Sequence, residues 1–336
     1  MRNTIIVIAV LLQIMVLGYM AGEREHILRY GKIIYLRTAP IDPRDLFRGD
    51  YVRLNYEISN IPARNLPRGD ATGVTKGEKV YVNLKEYSNG LYELDHVSIK
   101  EPPTGIYLVG RSPYDYRHRL LGHPMRLNYG IEAYFVQQGK GRRIEQRLGS
   151  RNQLQIPLEM QIAVGRNGKA VIKGHRWSPI GMGLQVMRTP PATPQVPAEP
   201  LSAKVALTMA NASNAPLALM ILPDDCSFAL KTAQSAKKDW VLTNNPCESA
   251  QPAADDLLVL QPGEEKIFEF DFSDERWFVQ SETTAPVEIG TLDWSERFRI
   301  IYRPPDEAAC RHLENRDLIW HGYLPSRAVH GRGRID

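Results

Sequence analysis

The segment APIDPRDLFRGDYVRLNYEI at residues 39–58 returns 73 positions later, at residues 112–131, as SPYDYRHRLLGHPMRLNYGI. Nine of the 19 positions from Pro40 to Ile58 are identical without a gap: Pro40, Asp42, Arg44, Gly49, Arg53, Leu54, Asn55, Tyr56 and Ile58 match Pro113, Asp115, Arg117, Gly122, Arg126, Leu127, Asn128, Tyr129 and Ile131. Average composition would give about one match by chance. An apolar run leads each copy, KIIYL and then GIYLV, and a strand-like stretch follows with an Asn-Gly pair, Asn89-Gly90 and then Asn167-Gly168. Asn-Gly between apolar runs signals a tight hairpin, because both residues accept positive φ. The passage reads as a duplicated β unit, about residues 31–104 and 105–178.

Alternation explains what is repeated. Val52, Leu54, Tyr56 and Ile58 share one face of an extended segment, with Tyr51, Arg53, Asn55 and Glu57 on the other. The second copy sets Met125, Leu127, Tyr129 and Ile131 inward and Arg126, Asn128 and Glu132 outward. Most shared residues therefore specify a core and a turn.

Ahead of the repeat, Thr4–Ala21 carries no charge, and 18 such residues lie at the short end of the ~17–25 that span a bilayer. Cleavage as a signal peptide would leave Tyr19 or Met20 at the −3 position, where small residues belong. The expectation is an uncleaved signal-anchor over residues 1–30. Flanking charge does not fix its orientation: only Arg2 precedes it, whereas Arg24, Arg29, Lys32 and Arg37 follow. Cys226 and Cys247, 21 residues apart, could form a disulfide in an oxidising compartment; with Cys310 present, three pairings stay open, as do three buried free thiols. Together these favour a bacterial inner-membrane protein with its bulk in the periplasm.

Charge separates the two halves. Residues 23–195 hold 27 Lys and Arg against 16 Asp and Glu, and residues 196–336 hold 14 against 22. Between them, TPPATPQVPAEP at residues 189–200 reads as a stiff Pro-rich linker. A proximal β domain over 31–188, barrel-like or made of paired sheets, would therefore be followed by an acidic one over 201–336. Short apolar runs separated by turns give the latter the rhythm of an immunoglobulin-like β-sandwich. In LQPGEEKIFEFDF, Phe268, Phe270 and Phe272 oppose Ile267, Glu269 and Asp271, and Trp240, Trp277 and Trp294 are candidates for core and edge packing. The glycine- and arginine-containing tail from Ile319 is either a docking segment or a frayed end. The fold class expected overall is mainly β behind one transmembrane helix.

Gly49, Asp50 and Tyr51, followed by Leu54 and Tyr56, match the signature of the GDYXXLXY family, and residues 1–180 resemble that family throughout. The resemblance implies a membrane-associated bacterial protein of unknown function; it supplies no catalytic residues. The second copy has His123-Pro124 in place of Asp50-Tyr51. Gly49-Asp50 suits a tight turn, and Asp50, Tyr51, Arg53 and Asn55 form the outward set that could contact a partner. Chemistry has weaker support. Asp42, Asp45 and Asp50 could converge as acid, base or metal ligands, the basis of an alternative reading as an envelope hydrolase. PRDLFRGDYV also resembles the start of signal-peptidase-like Ser-Lys enzymes, but the residues from Thr38 to Asp42 ahead of Pro43 offer no nucleophilic serine.

The eight histidines include no H-x-x-x-H, and there is no Walker or dinucleotide loop, so neither metal nor cofactor is expected. Charge alone would allow nucleic acid, but an anchor brings lipid headgroups or an acidic partner nearer, so no nucleic-acid partner is expected. The expectation is a single-pass accessory protein, not an enzyme, that binds a membrane or envelope protein. The sequence leaves its oligomeric state open.

Overall fold

A computed structural model of the chain describes residues 2–336 except 39–50, 63–64, 66–73, 89, 117–124, 138–139, 150–153, 188–203, 235–239, 244–246, 248–249, 282–283, 294 and 332–336. Strands dominate, behind one long N-terminal helix, α1 (Arg2–Tyr30). From Thr4 through Gly22 every side chain is exposed, and the helix is long and apolar enough to cross a membrane. Its 29 residues extend about 43 Å at ~1.5 Å each, more than the ~30 Å hydrocarbon layer, so its last turns would stand clear of a bilayer that it crossed. There Ile27 is buried and Glu23 pairs with Lys169. Gly31 closes the helix by donating its N–H to the Ile27 carbonyl, 2.8 Å away. A Cβ at Gly31 would lie 2.5 Å from that carbonyl oxygen and 3.0 Å from that of Val164, so only glycine lets the chain turn this tightly into the sheet.

The first unit contains β1 (Lys32–Arg37), β2 (Tyr51–Arg53), β3 (Asn60–Ile61), β4 (Lys79–Ser88), β5 (Leu91–Ser98), β6 (Ile106–Arg111), β7 (Met125–Arg126) and β8 (Ala133–Phe135). The short helix α2 (Lys140–Leu148), β9 (Leu158–Val164) and β10 (Ala170–Trp177) complete it. The large sheet runs β10-β9-β1-β5-β4-β6. β1 lies antiparallel to β9, from Lys32↔Val164 to Arg37↔Glu159, and β6 lies antiparallel to β4, from Lys79↔Arg111 to Leu84↔Ile106. β1 and β5 run parallel, with Tyr35 N–H donating to the Gly90 carbonyl, and Val109 N–H of β6 donates to the Gly168 carbonyl in the turn into β10, so the two edges of the sheet approach each other as in a barrel.

Pairing exchanges between the two stretches that sequence identified as copies. β2 pairs with β8 and β3 with β7. Leu54 N–H donates to the Glu132 carbonyl and Leu127 N–H to that of Ser59, both residue numbers shifting by 73. The Tyr56 hydroxyl donates to the Ile131 carbonyl, and the Tyr129 hydroxyl to that of Ile58, again at the same offset.

The inward set is buried as alternation requires: Val52, Leu54, Tyr56 and Ile58, with Met125, Leu127, Tyr129 and Ile131, all belong to the same core. The strand expected along residues 51–58 is cut short, however. After Arg53 only Tyr56 bridges, to Thr38, and a 3-10 turn follows at Glu57–Ser59. Ser59 causes this by returning to Tyr56, accepting its N–H at Oγ and donating its own N–H to its carbonyl. Glu132 captures the Tyr129 N–H in the same way in the other stretch.

Downstream come β11 (Ile180–Met187), β12 (Lys204–Asn211), β13 (Leu217–Met220), β14 (Phe228–Gln234), β15 (Val241–Leu242) and β16 (Leu257–Leu260). They are followed by β17 (Glu265–Asp271), β18 (Val279–Gln280), β19 (Arg297–Tyr302) and β20 (Leu324–Pro325). β11-β12-β17 and β14-β19-β20 form three-stranded sheets, with β13-β16 and β15-β18 as two-stranded ones. The core between them centres on Phe228, whose ring lies 5.0 Å from Phe268, 5.1 Å from Phe270 and 5.7 Å from Tyr302. On β17, Phe270 is buried and Ile267 exposed, as alternation requires. Trp240 and Trp277 are core residues, and Trp294 lies outside the described residues.

β11, counted by sequence with the proximal unit, pairs with β12 from Ile180↔Asn211 to Met187↔Lys204, and Ile180, Met182 and Leu184 belong to the distal core. The Pro-rich stretch, itself outside the described residues, thus connects two neighbouring strands of one sheet. The tail from Ile319 is a folded part of the distal unit as far as Gly331: β20 pairs with β19, and the buried His330 meets the Asp293 carbonyl at 2.9 Å through Nε2.

Candidate functional site

Of the motif residues, Gly49 and Asp50 lie outside the described residues, as do Asp42 and Asp45 of the acidic cluster and His118 and His123. Tyr51 opens β2 opposite Phe135. Leu54 and Tyr56 are core residues. Burial pushes the phenols of Tyr56 and Tyr129 far above the usual range, with Glu132 adding to the effect, so both remain neutral hydrogen-bond donors. Of the outward set, Arg53 is exposed and Asn55 and Glu57 are half-buried. The signature's described apolar members therefore build the interior, and Arg53 and Asn55 are left at the surface as candidate contacts. Cys226 and Cys247 form a disulfide, and Cys310 is a buried free thiol. Among the described residues no three His, Cys, Asp or Glu side chains gather as metal ligands.

A second group of residues gathers where the two units meet. Arg37, at the end of β1, points away from the barrel core yet has only 3% of its side chain exposed. Its Nη2 donates to Glu159 Oε1 at 2.9 Å, and the Arg176 Nε donates to Glu159 Oε2 at 2.7 Å. Its Nε and Nη1 find no acceptor among the described residues. Burial works against the charge of Arg37, and the neighbouring Glu57 and Glu159 more than offset it, so the guanidinium stays charged. From the distal unit, Tyr323 lays its ring 4.9 Å from the Arg37 guanidinium and donates its hydroxyl to Glu57 Oε2 at 3.2 Å. Burial, reinforced by Glu57, holds this phenol well above its usual range. Tyr87 of β4 packs its ring 5.0 Å from Tyr323, and Arg303 approaches Tyr87 from the distal side. Leu91 and Ile301 close the apolar part of the seam.

This seam was not legible in sequence. Arg37 looks like an ordinary flanking charge after an apolar run, and Tyr323 belongs to a tail that could have been frayed. The one usable signal was parity: Tyr35 and Arg37 occupy the face of β1 opposite Ile34 and Leu36, which must therefore be covered or solvated. The contacts are aromatic, cation–π and hydroxyl–carboxylate in kind.

Beside the seam lies a small open cleft between β1, the end of α2, β11, β19 and β20. Its walls carry Arg37, Arg299, Arg327 and Glu57 as charged groups, with Thr38, Gln155 and Ser326 as neutral polar ones.

Residues 13–174 match the family described as GDYXXLXY protein. No curated protein and no solved structure matches the chain.

Proposed function

Starting from the match of residues 13–174 to the GDYXXLXY family, we propose that the chain is a single-pass inner-membrane protein that works by binding, with its folded part in the periplasm. The observation that carries this reading is the continuity of α1 from an apolar, exposed span into the barrel. Ile27 is buried against the sheet and Glu23 is tied to Lys169, so the folded part is held rigidly at the membrane surface. The Cys226–Cys247 disulfide supports the exported side, because such bonds persist in oxidising compartments. The reciprocal pairing at the offset of 73 supports a duplicated unit whose shared residues serve the interior. With the apolar signature residues spent on packing, contact with a membrane or envelope protein would fall to groups such as Arg53 and Asn55, together with Asp50 and Tyr51. The alternative reading, an envelope hydrolase, is built on Asp42, Asp45 and Asp50, which lie outside the described residues.

Topology is tested first, with protease added to intact spheroplasts: digestion of residues 31–336 is expected, and full protection would overturn the periplasmic assignment. Crosslinking and pull-down from intact membranes, with α1 retained, should then recover an envelope protein by way of Arg53 and Asn55. Capture that is unchanged in Arg53→Ala/Asn55→Ala would remove those residues from the contact surface. A hydrolytic role would instead appear as function lost in Asp50→Asn with folding and partner capture intact.

A further inference from the structure

Arg2 and Glu23 bracket 20 uncharged residues, 3–22. At ~1.5 Å each these extend about 30 Å, the thickness of the hydrocarbon layer, so a helix that crosses it has little freedom to slide. The headgroup region adds about 5–8 Å on each side, roughly 3–5 residues of helix, and residues 23–27 therefore fall at headgroup height. The turn between β9 and β10 is pinned at the same height. Lys169 Nζ donates to Glu23 Oε2 at 2.7 Å, and Asn167 Nδ2 donates to Glu23 Oε1 at 3.4 Å. A Cβ on Gly165 would lie 3.1 Å from Ile27 Cγ1, so turn and helix are in direct contact. The barrel fixes the turn from its other side: the Tyr107 hydroxyl meets the Arg166 carbonyl at 2.9 Å, and Val109 N–H donates to that of Gly168 at 3.0 Å.

Cations ring this exit from the membrane. Arg24, Arg29, Lys32, Arg166 and Lys169 are all exposed, and Lys32 pairs with Val164, just ahead of the turn. Glu23 is matched by Lys169, and Glu25 by Arg29 at 2.6 Å. Glu101, which accepts from the Tyr107 hydroxyl, has Lys100 beside it in sequence. Arg24, Lys32 and Arg166 form no ion pair among the described residues. Three uncompensated cations at the depth of the lipid phosphates are complementary to headgroups of net negative charge.

We propose that this collar binds anionic phospholipid headgroups through Arg24, Lys32 and Arg166, so that the barrel is seated on the bilayer by its β9–β10 turn as well as by α1. The collar's role rests on the reading that α1 crosses the bilayer, and not on the side of the membrane that the barrel occupies. It is a different surface from Arg53 and Asn55, and leaves those free for a protein partner.

The test uses the full chain in nanodiscs of equal parts phosphatidylglycerol and phosphatidylcholine. Two probe lipids carry the same photoreactive group beside the glycerol ester and differ only in headgroup, and the crosslinked segments are read by mass spectrometry. Residues 165–169 are expected to capture the phosphatidylglycerol probe at least about fivefold more than the phosphatidylcholine probe, the worth of one cation near an anionic surface. In Arg24→Gln/Lys32→Gln/Arg166→Gln the ratio should fall to about one, with crosslinking of α1 unchanged. Equal capture of the two probes by the parent chain would overturn the proposal. So would the absence of crosslinks at residues 165–169 while α1 is crosslinked along its apolar span, a result that leaves the single-pass reading standing. Loss of the α1 crosslinks as well would remove both. A turn that shows no lipid preference in nanodiscs but crosslinks to another protein in native membranes belongs to a protein interface instead. Arg166→Glu, a single change at an exposed turn position, gives a second check should the triple variant fold poorly. An undiminished ratio there would also refute the site.

Discussion

Glu159→Gln is the substitution whose outcome best tests the account of the seam. Glu159 is 4% exposed and is the one carboxylate that accepts from both Arg37, at 2.9 Å, and Arg176, at 2.7 Å. A neutral amide there leaves the Arg37 charge in a nearly dry setting. Stranding one partner of a buried pair costs about 3–5 kcal/mol. The lower end applies, about 3 kcal/mol, because Glu57 still faces the guanidinium. Arg37→Met is the milder change, about 1–2 kcal/mol, since Glu159 keeps Arg176 as its partner. In Arg37→Met/Glu159→Met both nearly buried charges are gone, and Arg176, with 36% of its side chain exposed, can turn to solvent. The double variant should then be no less stable than Glu159→Gln. Scanning calorimetry of the full chain in nanodiscs reads the effect, with roughly 6–12 °C lost in Glu159→Gln for a domain of this size. A double variant whose loss equals the sum of two single losses, or a Glu159→Gln milder than Arg37→Met, would refute the reasoning.

Three further outcomes follow from particular contacts. Gly90 and Gly168 both hold φ of +71°, but an added Cβ meets the Tyr35 ring at 3.4 Å in the first and the Tyr107 ring at 2.5 Å in the second. Both alanine variants should pay about 1 kcal/mol for the backbone, with Gly168→Ala losing about 1–3 kcal/mol more from overpacking in urea unfolding; equal losses would contradict the packing. Reducing the Cys226–Cys247 bond should cost about 3 kcal/mol of distal-unit stability, from the loop of 21 residues it closes, visible as a dithiothreitol-dependent fall in melting temperature that Cys226→Ser/Cys247→Ser abolishes. His175 lies beside Tyr134, Trp177 and Arg147, and burial, aided by Arg147, holds its pKa below the usual 6.5. The folded state then binds this proton more weakly than the unfolded one, so the contribution is present above pH about 6.5 and is lost as pH falls below it. His175→Gln should flatten the acid side of the stability profile, and an unchanged slope would show that His175 does not set it.

Near-neighbour physics was readable from the chain itself. The offset of 73 located two matched stretches, alternation told Val52, Leu54, Tyr56 and Ile58 from Arg53, Asn55 and Glu57, and the uncharged Thr4–Ala21 announced a membrane-length helix. These are properties of period and composition, which a one-dimensional string carries directly. The premature end of β2 was harder, because Ser59 turning back on Tyr56 is a local hydrogen-bond competition that burial pattern does not show. The seam and the cleft were decided by the tertiary fold alone. Arg37 and Tyr323 are separated by nearly the whole chain, and β11 crosses to the distal sheet although it precedes the prolines. Which strand pairs with which, and which outward face is later covered, depends on the free energy of the whole packed assembly, and no short window of sequence contains that sum.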